Sequence, residues 1–127
     1  MPFEVSWYQP ERVVLMKVEG VMIPAEVEKA ISETIAMLAD SKNAIHFLVD
    51  TRTLQRIENI PSALKAVQSG PVHPNMGWMI VVGRMNPMVK FVLDFVGLLI
   101  KARYRRFDTM PEGLAFLKEI DGTLVLQ

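Results

Sequence analysis

Two short clusters in this chain carry residues able to grip a charged group. Asp50-Thr51-Arg52 closes the apolar run 44–49, and Gly83-Arg84, with Asn86 two residues on, follows the apolar run 78–82. A guanidinium presents a planar fork of N–H donors that matches carboxylate or phosphate, so Arg52 and Arg84 can hold an anionic head group. The stretch 88–100 that follows is almost wholly apolar and can wall in a tail, with Phe91 and Phe95 as its aromatic residues. Asp50, Arg52, Arg84, Asn86, Phe91 and Phe95 thus outline a site for a small amphipathic or lipid-like ligand. The competing reading is that Asp50 pairs with one of the arginines at the surface, an arrangement that is common and worth little.

Other chemistries find little support. There is no cysteine, which removes disulfides, thiol catalysis and thiolate metal sites. His46 and His73 are the only histidines, and neither HxH nor HxxxH spacing occurs, so no metal is expected and His46 reads as a structural residue inside a strand. Nucleophile elbow, P-loop and GxGxxG patterns are absent. Carboxylates are present, but no pair is singled out for acid–base work. No catalytic residue and no cofactor is assigned.

Fourteen basic residues balance fourteen acidic ones, so no overall field draws in nucleic acid. The one basic cluster is Lys101-Ala102-Arg103-Tyr104-Arg105-Arg106. Beside an apolar helix it suggests peripheral contact with an anionic membrane surface. In a strand its charges divide between two faces and mark a solvated edge.

The elements that must position these residues are legible from periodicity. Residues 3–8 alternate, 9–12 turn at Pro10, and 13–18 is β-branched and apolar, which makes an antiparallel hairpin ended by Gly20. Pro24 opens an amphipathic helix to about Ala39, with Val27, Ile31, Ile35 and Leu38 at helical spacing. A buried strand (44–49), a loop (51–60), a short helix (61–68), a second buried strand (78–82), a helix from Pro87, a strand (104–107) and a helix from Pro111 follow. The order β-β-α-β-α-β-α-β-α is that of an α/β protein with a mixed, mostly parallel five-stranded sheet and four helices. At 127 residues it fits a single domain, and its start lacks a secretory signal pattern, which points to the cytoplasm. The tail 123–127 has no assigned place.

The helix after Pro87 is too short and too interrupted, by Lys90 and Asp94, to span a bilayer. Lys90, Asp94, Gly97 and Lys101 fall on one narrow stripe, and nearly every other position is apolar. Three uses compete for the surplus apolar surface: deep burial, pairing with another chain such as a second copy, or walling a ligand cavity.

The succession "VVLMKVEG", "FLVDTRTL", "MIVVGRMNPMVKFVLDFV" and "RYRRFDTMPEGLAFLKE" resembles the STAS (anti-sigma-factor-antagonist) superfamily, and within it the SpoIIAA-like bacterial group. The resemblance runs over nearly the whole chain and implies the sheet just described. It also implies a protein-interaction module of a regulatory pathway, switched in well-known members by phosphorylation of a serine at the start of the helix after the third strand. Ser62 is the serine at the matching place, with no Asp before it and no Gly after it. The alternative is that Ser62 simply begins that helix beside Pro61.

Overall fold

The computed structural model describes residues 3–39, 44–68, 76–84, 87–99 and 103–124, with backbone alone for 66–68, 96, 97 and 99. Nine elements run in the expected order: β1 (Phe3–Gln9), β2 (Val13–Met22), α1 (Pro24–Ala39), β3 (Ile45–Ile57), α2 (Ile60–Gln68), β4 (Met76–Val82), α3 (Pro87–Leu99), β5 (Arg103–Phe107) and α4 (Met110–Ile120). The five strands lie side by side in chain order. β1 is antiparallel to β2, and the pairs β2–β3, β3–β4 and β4–β5 are parallel.

The hairpin turn forms where Pro10 sets it. Arg12 N–H donates to Gln9 O at 3.0 Å, and Glu11 takes φ +62°, as the third residue of a type II turn requires. Tyr8 is the extra residue at the β1 bulge, since Trp7 pairs with Val14 and Gln9 with Val13.

The strand period splits the core into two layers. Val13, Leu48, Ile80 and Val82 point to one face, where Leu117 of α4 and Leu124 of the tail bury against them. Val14, Ile45, Val49, Met79, Val81 and Val18 point to the other face, beneath α1 and α3. α2 packs against both α1 and α3. The start of the tail therefore has a role: Leu124 completes the α4-side core, while residues 125–127 lie outside the description.

α1 buries Ala30, Thr34 and Leu38, a seam shifted toward Ala30 so that Ile31 and Ile35 lie at its edge and stay half-exposed. Thr34 is tolerated there because its hydroxyl donates to Ala30 O at 2.8 Å. Thr109 caps the start of α4. The Thr109 hydroxyl accepts from Glu112 N–H at 3.4 Å and donates to the Glu112 carboxylate at 2.8 Å.

Two strands run longer than periodicity suggests. β2 continues through Gly20 to Met22, and β3 continues through the expected loop to Ile57. Each extension supplies the other's partner, with Gly20 opposite Leu54 and Met22 opposite Ile57. Gly20 stands at a register break with φ +63°, so it bends the strand where a stop was expected. Polar Thr51, Arg52 and Thr53 imitate a strand end, yet threonine is a good strand former, and Leu54 and Ile57 still have Val18 and Met22 to pack on.

Candidate functional site

β4 pairs with β3 only as far as Asp50 opposite Val82, so the β3–β4 ladder and β4 itself end at Asp50–Arg52 and Gly83, while β3 runs on to Ile57 beside β2. Ligands of open parallel α/β sheets bind outside such ends. Gly83 closes β4 with φ +129°, and a Cβ there would stand 2.7 Å from Thr51 Oγ1 and 3.0 Å from Arg52 N. Backbone thus touches backbone at this corner. Thr51 Oγ1 donates to Val82 O at 2.9 Å, which ties the end of β4 to the middle of β3.

Asp50 and Arg52 are committed to each other. Arg52 donates from its backbone N to Asp50 Oδ1 at 3.0 Å, from Nε to Oδ1 at 2.9 Å, and from Nη2 to Oδ2 at 2.9 Å. The Asp50 side chain is 4% exposed and that of Arg52 53%. Burial pushes the Asp50 carboxyl up, but the Arg52 bonds, with Lys17 nearby, outweigh it and hold the group below the ordinary carboxylate range. The bidentate face of Arg52 is therefore already filled, by a carboxylate of the same chain. Arg84 differs: its side chain is 85% exposed, and its ion partner, Asp108, stands 3.9 Å away. Asn86 lies outside the described residues.

α3 meets the sheet through Val89 and Val92, both buried, and through Leu93 against Val49, Met79 and Val81. Asp94 fastens its flank, accepting from Tyr104 Oη and from Arg106 Nε at 3.0 Å each. Burial and the adjacent carboxylate push the Tyr104 phenol above its ordinary value. Phe91 does not lie between helix and sheet. It is 62% exposed, stacked 6.3 Å from half-exposed Phe95. Met88 at 60% and Leu98 at 75% stand on the same side. Met88, Phe91, Phe95 and Leu98, spaced i, i+3, i+7 and i+10, form a continuous apolar stripe facing outward. The sequence shows surplus apolar surface on this helix. Which residues face out depends on which way the sheet turns it.

Ser62 is the third residue of α2, half-exposed and one position after exposed Pro61. The preceding Asn59 takes φ +50°, and its carbonyl receives Ala63 N–H at 3.0 Å. Ser62 thus sits within the first turn, on the helix that borders α3.

The basic strand is split as its period requires. Arg105 lies over the rings of Phe107 and Phe116, 5.4 and 4.9 Å from their centroids, and Arg106 pairs with Asp94 on the other face. Lys101 lies outside the description. Among the described residues no group of three acidic or histidine side chains could hold a metal, and no helix is long and apolar enough to cross a membrane.

At the opposite end of the strands His46 is buried. Its Nδ1 accepts Trp78 N–H at 3.0 Å, so the neutral ring carries its proton on Nε2, 3.6 Å from Asp121 Oδ2. Arg12 Nη2 also reaches that oxygen, at 2.5 Å, and Thr123 N–H and Oγ1 hold Asp121 Oδ1 at 3.1 and 2.6 Å. These bonds, Thr123's hydroxyl first, lower Asp121 to about 2. For His46, burial lowers the pKa and outweighs the Asp121 carboxylate, which raises it. The unfolded chain therefore binds this proton more readily. The stability that neutral His46 contributes is fully present above about pH 6.5 and is lost as pH falls below it. Urea denaturation at stepped pH is expected to show that loss, flattened in His46→Gln. Equal slopes in the two proteins would refute the assignment.

No family model matches the chain, and no curated protein matches it. Solved structures do. An uncharacterised DUF3478-family protein with a SpoIIAA-like fold from Shewanella loihica PV-4 aligns over 91% of each chain, at 14% identity and a TM-score of 0.63. The Bacillus cell fate determinant SpoIIAA in its phosphorylated form aligns over 91% of this chain and 98% of its own, at 14% identity and a TM-score of 0.56. The anti-sigma factor antagonist SpoIIAA in its unphosphorylated form aligns over 97% and 99%, at 14% identity and a TM-score of 0.57. At that identity the likeness concerns fold, and the chain has a SpoIIAA-like fold.

Proposed function

We propose that this SpoIIAA-like chain is a cytoplasmic, non-catalytic protein-interaction module of a bacterial regulatory pathway, docking its partner on the surface formed by α2 and α3. The observation that carries the reading is the outward stripe of α3. Among the described residues, three of the four exposed large hydrophobic side chains (Met88, Phe91 and Leu98) belong to it. Exposed apolar surface gathered on one helix commonly marks an interface. Proteins of the same fold include an anti-sigma factor antagonist and its phosphorylated form, and Ser62 lies in the first turn of α2, the helix that borders α3.

Cross-linking in the source cells, followed by mass spectrometry, tests it. One protein species is expected with the unaltered chain, reduced at least roughly tenfold by Phe91→Glu and altered by Ser62→Asp. Recovery that ignores Phe91→Glu would remove the reading.

A second reading, an amphipathic ligand held at the carboxyl end of β4, is favoured by one feature: the exposed side chain of Arg84 just before α3. Native mass spectrometry before and after organic extraction separates the two. An extractable excess mass that Arg84→Ala abolishes, with no protein partner recovered, would support the ligand.

A further inference from the structure

Resting on the interaction reading above, we infer that the α3 stripe takes a second copy of this chain, with α3 packed antiparallel on α3 about a two-fold axis that passes through the stripe level with Leu93. The stripe is its own complement in that register. Met88 and Leu98 are equidistant from Leu93, and so are Phe91 and Phe95. The axis therefore sets Met88 of one copy against Leu98 of the second, and Phe91 of one against Phe95 of the second. The stacked pair Phe91–Phe95 forms an aromatic platform, and two such platforms meet at the centre, where interface energy concentrates. A two-fold interface uses one patch twice, so a patch that pairs with itself closes into a dimer and does not propagate.

Charge sets the direction. Lys90 is exposed, and the Asp94 side chain is 45% exposed while bound to Tyr104 and Arg106. Both residues lie on one flank of the stripe, a single turn apart. When two helices run antiparallel, like flanks meet. Lys90 of one copy then falls about 3 Å along the axis from Asp94 of the second, two residues at about 1.5 Å each. The contact occurs twice. In a parallel pair, opposite flanks meet and Lys90 is carried away from Asp94. The antiparallel arrangement is the one in which both the apolar pairs and the charges match.

Sedimentation equilibrium over the micromolar range, with disulfide mapping, decides the matter. The chain has no cysteine, so introduced pairs report without background. A dimer is expected, and Phe91→Glu and Leu98→Glu should each weaken it roughly tenfold or more. At concentrations too low to populate the dimer their melting temperatures should match the parent's, because both side chains lie outside the core. A mixture of Met88→Cys and Leu98→Cys chains should cross-link between the two variants under mild oxidation, while Met88→Cys alone should not link to itself. A monomer at every concentration overturns the inference. So does a dimer indifferent to Phe91→Glu, or self-linking of Met88→Cys. A monomer that still captures a protein through Phe91 ends self-association alone and leaves the interaction reading standing. A monomer that captures nothing ends both.

Discussion

Arg52→Ala is expected to destabilise the fold by about 2–3 kcal/mol at neutral pH, and Asp50→Asn by clearly less. The two substitutions break the same ion pair, yet their costs differ because the partners sit in different solvents. Asp50 is 4% exposed and Arg52 53%. Removing the guanidinium strands a carboxylate in the protein, whereas removing the carboxylate's charge lets a half-solvated guanidinium turn to water. Breaking a fully dry pair costs ~3–5 kcal/mol, and the water on the Arg52 side reduces that figure.

The pH dependence follows with a definite sign. In the unaltered chain the folded Asp50 carboxyl lies below its ordinary value, because the Arg52 bonds outweigh burial. Its stabilisation is present above the unfolded value, about 3.9, and is lost as pH falls through the folded one. In Arg52→Ala burial is left to dominate, and the folded carboxyl rises. The variant is then penalised at neutral pH and relieved on acidification, so the gap between the two proteins should narrow toward pH 4. Urea denaturation at two pH values measures this. A gap that stays constant, or Asp50→Asn costing as much as Arg52→Ala, would remove the buried-charge account.

Gly113→Ala should destabilise as well, against what helix propensity alone says. Alanine is better than glycine inside a helix by ~1 kcal/mol, and Gly113 is the fourth residue of α4. A Cβ there would stand 2.6 Å from Val82 Cγ1 and 3.3 Å from Ile80 Cγ2. Those atoms belong to fully buried side chains near the sheet's centre, with no free space to retreat into. Forcing a methyl into such a contact costs roughly 1–3 kcal/mol. The packing term wins, for a net loss of about 1 kcal/mol and a drop of several degrees in Tm. Gly122 is the control: nothing lies within 4 Å of its added Cβ, so Gly122→Ala should stay within about 0.5 kcal/mol of the parent. A Gly113→Ala protein that melts higher than the parent would mean that α4 can lift off the sheet at little cost.

Much of the architecture is legible in the chain because it follows from short-range rules. Period-two runs such as Phe3–Val5–Trp7, proline at the first turns of α1, α3 and α4, and the apolar interiors of β3 and β4 each specify an element locally. Their alternation leaves few ways to assemble a parallel sheet with right-handed crossovers. The reading of His46 as a structural residue also rests on its place inside a strand. The length of β3 was not legible, since Thr51-Arg52-Thr53 continues a strand only because β2 extends alongside it to Met22.

The residues around the candidate site divide the same way. Sequence alone determines that Asp50 and Arg52 sit two apart, that Arg84 follows a glycine, and that α3 carries more apolar surface than a sheet can cover. Only the tertiary structure decides that Arg52 spends its fork on Asp50 while Arg84 stays in water, and that Phe91 faces out while Val89 and Val92 face in. The reason is physical. Spacing along a helix or strand says which residues share a side. Which side meets the core depends on how an element is rotated against neighbours distant in sequence, and that rotation decides which side chains lose water and which keep it.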